Sequence, residues 1–307
     1  MANIIAVIWD FDKTLVNGYM QDPIFAHYGI DSRAFWDEVN ALPERYLREQ
    51  GVKVNRETIY LNHFINCAKK GIFPGLNNQK LREYGRELVF YPGIPEIFER
   101  TKALVAQESK YREYDIKVEH YIVSTGMAEI IRGSSVMEHV EAIWGCEFIE
   151  DVQDGAPIIS ELGYTIDNTS KTRAIFEINK GVPQNPHIDV NSKMPGNLRR
   201  VRFENMIYIA DGPSDIPAFS LLGGRGGSTF AIYPKGDWKA MGQVEQMRMD
   251  GRIDMFAEAD YSEGTTADMW ICTKIRQIAE RIYENERMLL ASAVSDVPRH
   301  LTTTAGV

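Results

Sequence analysis

Two aspartates one residue apart stand in the run Asp10-Phe11-Asp12-Lys13-Thr14, directly after an apolar stretch. Paired carboxylates at such a point suit a hard divalent cation, because Mg²⁺ takes carboxylate and carbonyl oxygens and offsets their mutual repulsion. A second acidic pair lies in Asp211-Gly212-Pro213-Ser214-Asp215, again after an apolar run. Asp211 is there a candidate metal ligand, and Asp215 a candidate support for metal-bound water or for a lysine. Ser124-Thr125-Gly126 joins a third apolar run to a helical pattern, where a hydroxyl and free N–H groups make a ready anion site. Lys171 falls in the first turn of a helical stripe, against the helix dipole, and that local cost points to an anionic partner. Each feature alone has a plainer reading: turn or cap acids for the aspartates, a helix cap for Ser124, a surface lysine for Lys171.

The elements that must position these groups follow from hydrophobic patterning. Ile4 to Trp9 is a continuous apolar and β-branched run, the pattern of a strand buried on both faces of a parallel sheet. Val118 to Val123, Ile207 to Ala210 and Thr229 to Tyr233 repeat it, each followed by a turn and then a helical stripe: Met127, Ile130, Ile131; Ile216, Phe219, Leu222; Met241, Val244, Met247. Strand, turn and helix in alternation predict an α/β fold with a doubly wound parallel sheet, whose strand ends line the ligand crevice. Between Leu15 and Pro92 strand patterns give way to helical stripes: Phe35, Val39, Leu42; Leu61, Phe64, Ile65, Ala68; Leu81, Tyr84, Leu88. The expected organisation is an α/β core of residues 1–15 and 93–291, a helical cap domain of residues 16–92 inserted after the first strand, and a flexible tail at 292–307. Residues 182–203, rich in proline and glycine, read as an irregular loop, and Ile271, Ile275, Ile278 and Ile282 as the stripe of a long final helix.

Composition narrows the function further. The 307 residues hold 34 Lys plus Arg against 43 Asp plus Glu, a net charge of −9 that works against binding a nucleic acid polymer or an anionic membrane. No stretch has the length of a membrane span or the layout of a signal peptide, so a cytoplasmic protein acting on a small molecule is expected. Cys67, Cys146 and Cys272 lack paired spacing and read as buried, inert thiols, and the six histidines show no zinc-ligand spacing.

The order acid pair, hydroxyl, lysine, acid pair resembles the haloacid dehalogenase-like (HAD) hydrolase superfamily over nearly the whole chain. All four family motifs have a match, and the insertion between the first two resembles a type 1 helical cap, as in phosphoserine phosphatases. Ala210 before Asp211 departs from the commoner glycine. The resemblance implies a Rossmann-like core and a Mg²⁺-dependent phosphomonoesterase acting on a small phosphorylated metabolite. Asp10 would be the nucleophile forming an aspartyl-phosphate, Asp12 the general acid and base, and Lys171 the third catalytic group. Thr14, Ser124, Thr125 and Gly126 would serve the substrate side, Thr14 also helping to orient the acids at the strand end; Asp10, Asp211 and the Asp12 backbone carbonyl would serve the metal, with Asp215 supporting that shell. An acid at position 12 favours ester hydrolysis over carbon–halogen cleavage. A phosphotransferase with the same intermediate, or a non-catalytic phosphate-binding regulatory protein, stands as the alternative. In the cap, Arg45, Arg48, Arg56 and His63 read as solvated helix residues, Tyr19, Phe35 and Trp36 as packing, and His187 and Asp189 are isolated in the long loop.

Overall fold

The computed structural model describes residues 3–293. Strand β1 (Ile4–Trp9) is wholly buried at the centre of a seven-stranded sheet with the order β4-β3-β2-β1-β5-β6-β7. Its neighbours are β2 (Lys117–Met127) and β5 (Met206–Ala210), both parallel to it, with β6 (Ser228–Tyr233) and β7 (Met255–Glu258) beyond β5. Helices α5 (Glu96–Ala106) and α11 (Thr266–Ala293) cover the face that carries Trp9, whose ring meets Phe98 edge-on. Helices α8 (Lys171–Lys180) and α9 (Ile216–Gly223) cover the face that carries Tyr208, which packs on Phe219. Helices α6 (Ser109–Glu113), α7 (Ala128–Gly133) and α10 (Trp238–Met249) complete this unit. The doubly wound sheet expected from the apolar runs is therefore present. Helix α11 takes in Ser292 and Ala293, the first two positions of the expected tail; residues 294–307 lie outside the described residues.

The hairpin of β3 (Ala142–Gln153) and β4 (Ala156–Tyr164), together with β7, α6 and α1 (Asp22–Tyr28), is not among the elements expected from the apolar patterns. β3 begins parallel to β2 and then pairs antiparallel with β4. Asp154 and Gly155, both at positive φ, form the two-residue turn. This is the Asp-Gly hairpin signal.

Between β1 and α5 lie α1, α2 (Ser32–Gln50), α3 (Ile59–Lys69) and α4 (Asn78–Gly85). Phe25, Phe35, Phe64 and Phe73 pack together among them, with Phe64 and Phe73 stacked at 5.1 Å. The chain leaves and re-enters the sheet region at adjacent points: Asn17 N–H donates to the Val89 carbonyl at 2.8 Å and Tyr91 N–H to the Leu15 carbonyl at 2.9 Å. Two further contacts bind these helices to the rest. The Ile159 N–H of β4 donates to the Leu76 carbonyl at 2.9 Å, and Asn78 donates its side-chain amide to the Phe148 carbonyl at 3.1 Å. Helix α4 also lies backbone against backbone on α7, since a Cβ on Gly85 would sit 2.1 Å from the Ile130 carbonyl oxygen and one on Gly133 1.9 Å from that of Arg82.

This contact predicts opposite signs for one substitution at two helical glycines. Gly85→Ala must push α4 off α7 and lower the unfolding free energy by about 3 kcal/mol. Gly242→Ala, where an added methyl meets nothing within 4 Å, should raise it by about 0.5–1 kcal/mol. Denaturant titration of both variants checks the pair.

Candidate functional site

Register brings the sequence motifs together. Trp9 is level with Ile122 on β2 and Ile209 on β5, so Asp10 emerges beside the strand ends that lead into Ser124 and Asp211. The Asp10 N–H donates to the Ile209 carbonyl at 2.9 Å, which extends the pairing by one residue and fixes its direction. The site thus falls where β1 has its successors on opposite sides, the switch point at which parallel sheets open a crevice.

Lys171 comes from the other direction, as the first residue of α8. Asp167 and Ser170 hold that helix start reciprocally: Asp167 N–H donates to Ser170 Oγ and Ser170 N–H to Asp167 Oδ1, both at 2.7 Å. The lysine side chain is buried, and its Nζ donates to Asp10 Oδ1 at 2.7 Å and Asp215 Oδ1 at 2.6 Å. Tyr208 Oη also donates to Asp215 Oδ1, at 2.6 Å, and Ser214 Oγ to Asp215 Oδ2 at 2.8 Å. Burial works against the lysine's charge, but Asp10 and Asp215 override it and hold its pKa above the usual value. The plainer reading of Lys171 as a surface lysine thus falls away, and its anionic partners are two protein carboxylates.

Carboxylate oxygens of Asp10, Asp211 and Asp215 lie within 4.8 Å of one another. Burial raises Asp10 to about 6, with Lys171 opposing and Asp215 reinforcing the shift. Burial likewise raises Asp211 to about 7, followed by the charges of Asp10 and Asp215. Three carboxylates share this space with one buried ammonium, and the oxygen-only donor set fits a hard divalent cation that would relieve the surplus negative charge.

Asp12 stands outside that trio. It accepts the Met20 N–H on Oδ1 at 2.8 Å, and burial, then the charge of Asp10, raise its pKa well above the carboxylate range. Lys13, at φ 55°, places its ammonium 4.3 Å over the Tyr19 ring. Thr14, expected on the substrate side, is fully buried; its hydroxyl donates to Asp10 Oδ2 at 3.3 Å while its carbonyl accepts from Tyr261 Oη at 2.7 Å. Its hydroxyl is thus turned to Asp10.

Ser124 is buried beside Gly126, whose N–H donates to Ser124 Oγ at 3.0 Å. The Thr125 carbonyl accepts from Tyr60 Oη at 2.9 Å, and the Met127 N–H approaches Met20 Sδ at 3.0 Å. Residues of the helical insertion thus touch the Ser124 loop directly. Tyr208, Met20, Tyr60 and Tyr261 are participants that the sequence does not single out, because each reads as an ordinary core side chain. Among the cap candidates, Phe35 is core, Arg48 pairs with Glu49 in solvent, Arg45 stacks on Tyr46, Arg56 is exposed, and His63 lies buried between Glu38 and Cys67. Trp36 is half-buried against Tyr60, and His187 and Asp189 are exposed in the loop. All three cysteines are free and buried, and among the described residues no helix is long and apolar enough to cross a membrane.

No family model matches the chain. An uncharacterized protein of Borreliella burgdorferi is 36% identical over 287 residues, covering 89% of this chain and 97% of that protein. Among solved structures, a HAD family hydrolase from Salmonella enterica serovar Typhi overlays with a TM-score of 0.48 at 13% identity, covering 83% of this chain and 67% of the other. A substrate-bound phosphoserine phosphatase complex overlays with a TM-score of 0.47 at 16% identity, covering 86% and 97%.

Two predictions follow from the charge cluster. Lys171→Met should lower the unfolding free energy by about 3–5 kcal/mol, since it strands two buried carboxylates; combined with Asp10→Asn it should cost less than the sum of the two single changes, as measured by denaturant titration. Saturating magnesium chloride should raise the melting temperature of the native chain by roughly 2–5 °C, and this gain should shrink in Asp211→Asn.

Proposed function

We propose that this chain, which belongs to the same family as the uncharacterized Borreliella burgdorferi protein, is a phosphomonoesterase acting on a small phosphorylated metabolite. The observation that carries this reading is Asp12. A protein that only held phosphate or metal would gain nothing from a second acid beside Asp10, its pKa pushed up by burial and its carboxylate aimed by a backbone N–H.

On this reading an Asp10 carboxylate oxygen attacks phosphorus, the bond from phosphorus to the ester oxygen breaks, and Asp12 gives its proton to the departing alkoxide. The acyl phosphate left on Asp10 is then attacked at phosphorus by water. Asp12, now ionised, takes the water's proton, and inorganic phosphate leaves with Asp10 regenerated. Lys171 holds Asp10 ionised and fixed in direction. Asp215 and Tyr208 fix Lys171 in turn. Ser124 Oγ, whose own proton is free to be donated while it accepts from Gly126, supports the phosphoryl oxygens together with nearby backbone N–H groups. Mg²⁺ held by Asp10, Asp211 and Asp215, with the Asp12 carbonyl, would neutralise charge on the transferring group.

Release of inorganic phosphate from a panel of metabolite phosphomonoesters, with magnesium or with chelator, tests the assignment. Asp10→Asn should lose at least about 10³-fold in rate while remaining folded. Asp12→Asn should be slow in both steps and accumulate a phosphate adduct on Asp10 that mass spectrometry detects. Undiminished turnover in Asp10→Asn would remove Asp10 as nucleophile.

A further inference from the structure

We propose that the cleft between one face of α8 and the 182–203 loop binds an organic polyphosphate, its phosphates on four cations and its organic body on Phe176, Val190 and Met194. The site is separate from the carboxylate cluster, and the inference goes beyond the phosphomonoesterase reading.

The helix dictates one wall of the cleft. Ala174, Ile175 and Ile178 of α8 are buried in the core, whereas Thr172, Phe176 and Lys180, spaced four residues apart, share a neighbouring face that lines the cleft. Gly181, at φ 82°, ends the helix and lets the chain turn back. Lys180 is 7% exposed and fastens the returning loop by donating to the Val190 and Ser192 carbonyls. Arg199 ties the far end of the loop, its Nη1 donating to Asn179 Oδ1 at 3.0 Å. These ties hold open a cleft of about 550 Å³, well within the roughly 300–1,000 Å³ of small-molecule sites.

The charge of the lining decides what fits there. Arg173, Lys180, Lys193 and Arg199 line the cleft and no Asp or Glu does, in a chain of net charge −9. Arg173 is paired with Glu177 at 2.9 Å. Among the described residues the other three cations pair with no carboxylate: Lys180 and Arg199 donate to neutral oxygens, and Lys193 is exposed. Like charges gathered around one concavity attract anions, and a ligand with several negative charges relieves their mutual repulsion. Phosphate oxygens are the acceptors that guanidinium and ammonium groups hold best. Phe176, Val190 and Met194, all half-buried, add an apolar wall that an inorganic anion would leave unused.

Equilibrium dialysis of labelled ATP against the full chain, competed by AMP or by tripolyphosphate, tests the site. Low salt and EDTA are used, since the acids of the crevice, left without a cation, repel polyanions from there. ATP should bind about tenfold or more tighter than AMP, which has fewer charges to place on the cations. It should also bind tighter than tripolyphosphate, and its affinity should fall steeply with added salt. Lys193→Glu changes an exposed side chain without an ion-pair partner, so the melting temperature should stay close to that of the native chain while ATP affinity falls about tenfold or more. Phe176→Leu should weaken ATP but not tripolyphosphate. Ser124→Ala should leave ATP binding unchanged. No bound ATP at millimolar concentration, undiminished binding in Lys193→Glu, or binding lost in Ser124→Ala overturns the site. Tripolyphosphate binding as tightly as ATP overturns the organic ligand. None of these readouts depends on turnover, so they stand or fall apart from the phosphomonoesterase reading.

Discussion

Carboxylates at the carboxyl ends of neighbouring buried strands repel one another in a medium that screens them poorly, so they cannot share a dry crevice unless positive charge is buried with them. Lys171 supplies that charge by bridging Asp10 and Asp215. Much of the surrounding architecture can be understood as what delivers an ammonium to this point. A helix must begin there in spite of its dipole, and Asp167 with Ser170 fastens its first turn. Tyr208 on β5 supplies a further donor to the oxygen of Asp215 that Lys171 already holds. Asp211 adds a third carboxylate to the balance, which is why the cluster favours a cation beyond the lysine.

The helical insertion supplies what the sheet cannot. The strand ends present acids, a buried hydroxyl and backbone N–H groups. Met20 and Tyr60 bring in an N–H for Asp12 and a phenol for the Thr125 carbonyl. The insertion therefore contributes polar groups to the interior of the site besides covering it.

How much of this was legible in the sequence varied with the physical origin of each feature. β1, β2, β5 and β6 announce themselves because strands covered on both faces must be apolar throughout, and the acids that follow them are conspicuous by contrast. The hairpin of β3 and β4 is half-exposed, with Ile149 and Val152 in solvent and acids between them. Its pattern is diluted, although Asp154-Gly155 marked the turn. β7 is only four residues long. Lys171 could be placed at a helix start by its spacing, but not its burial between two acids, which depends on strands distant in sequence. Thr14 reads from its place after the acids as a residue that orients them, but that its hydroxyl is buried against Asp10 depends on packing that the spacing of the motif does not carry.

The paired connectors at Asn17–Val89 and Leu15–Tyr91 bear on how such a molecule can change over evolutionary time. Because the outgoing and returning chains are bonded to each other, the core meets the insertion at a closed neck, and the entropy of closing whatever lies beyond grows only slowly with its length. By that measure alone the whole insertion could be exchanged for another. The Ile159–Leu76 bond and the Gly85–Gly133 contact set a limit, since a replacement must also match β4 and α7, which lie far from the neck in sequence. Wholesale exchange thus requires coordinated change at three separated places, the neck, β4 and α7.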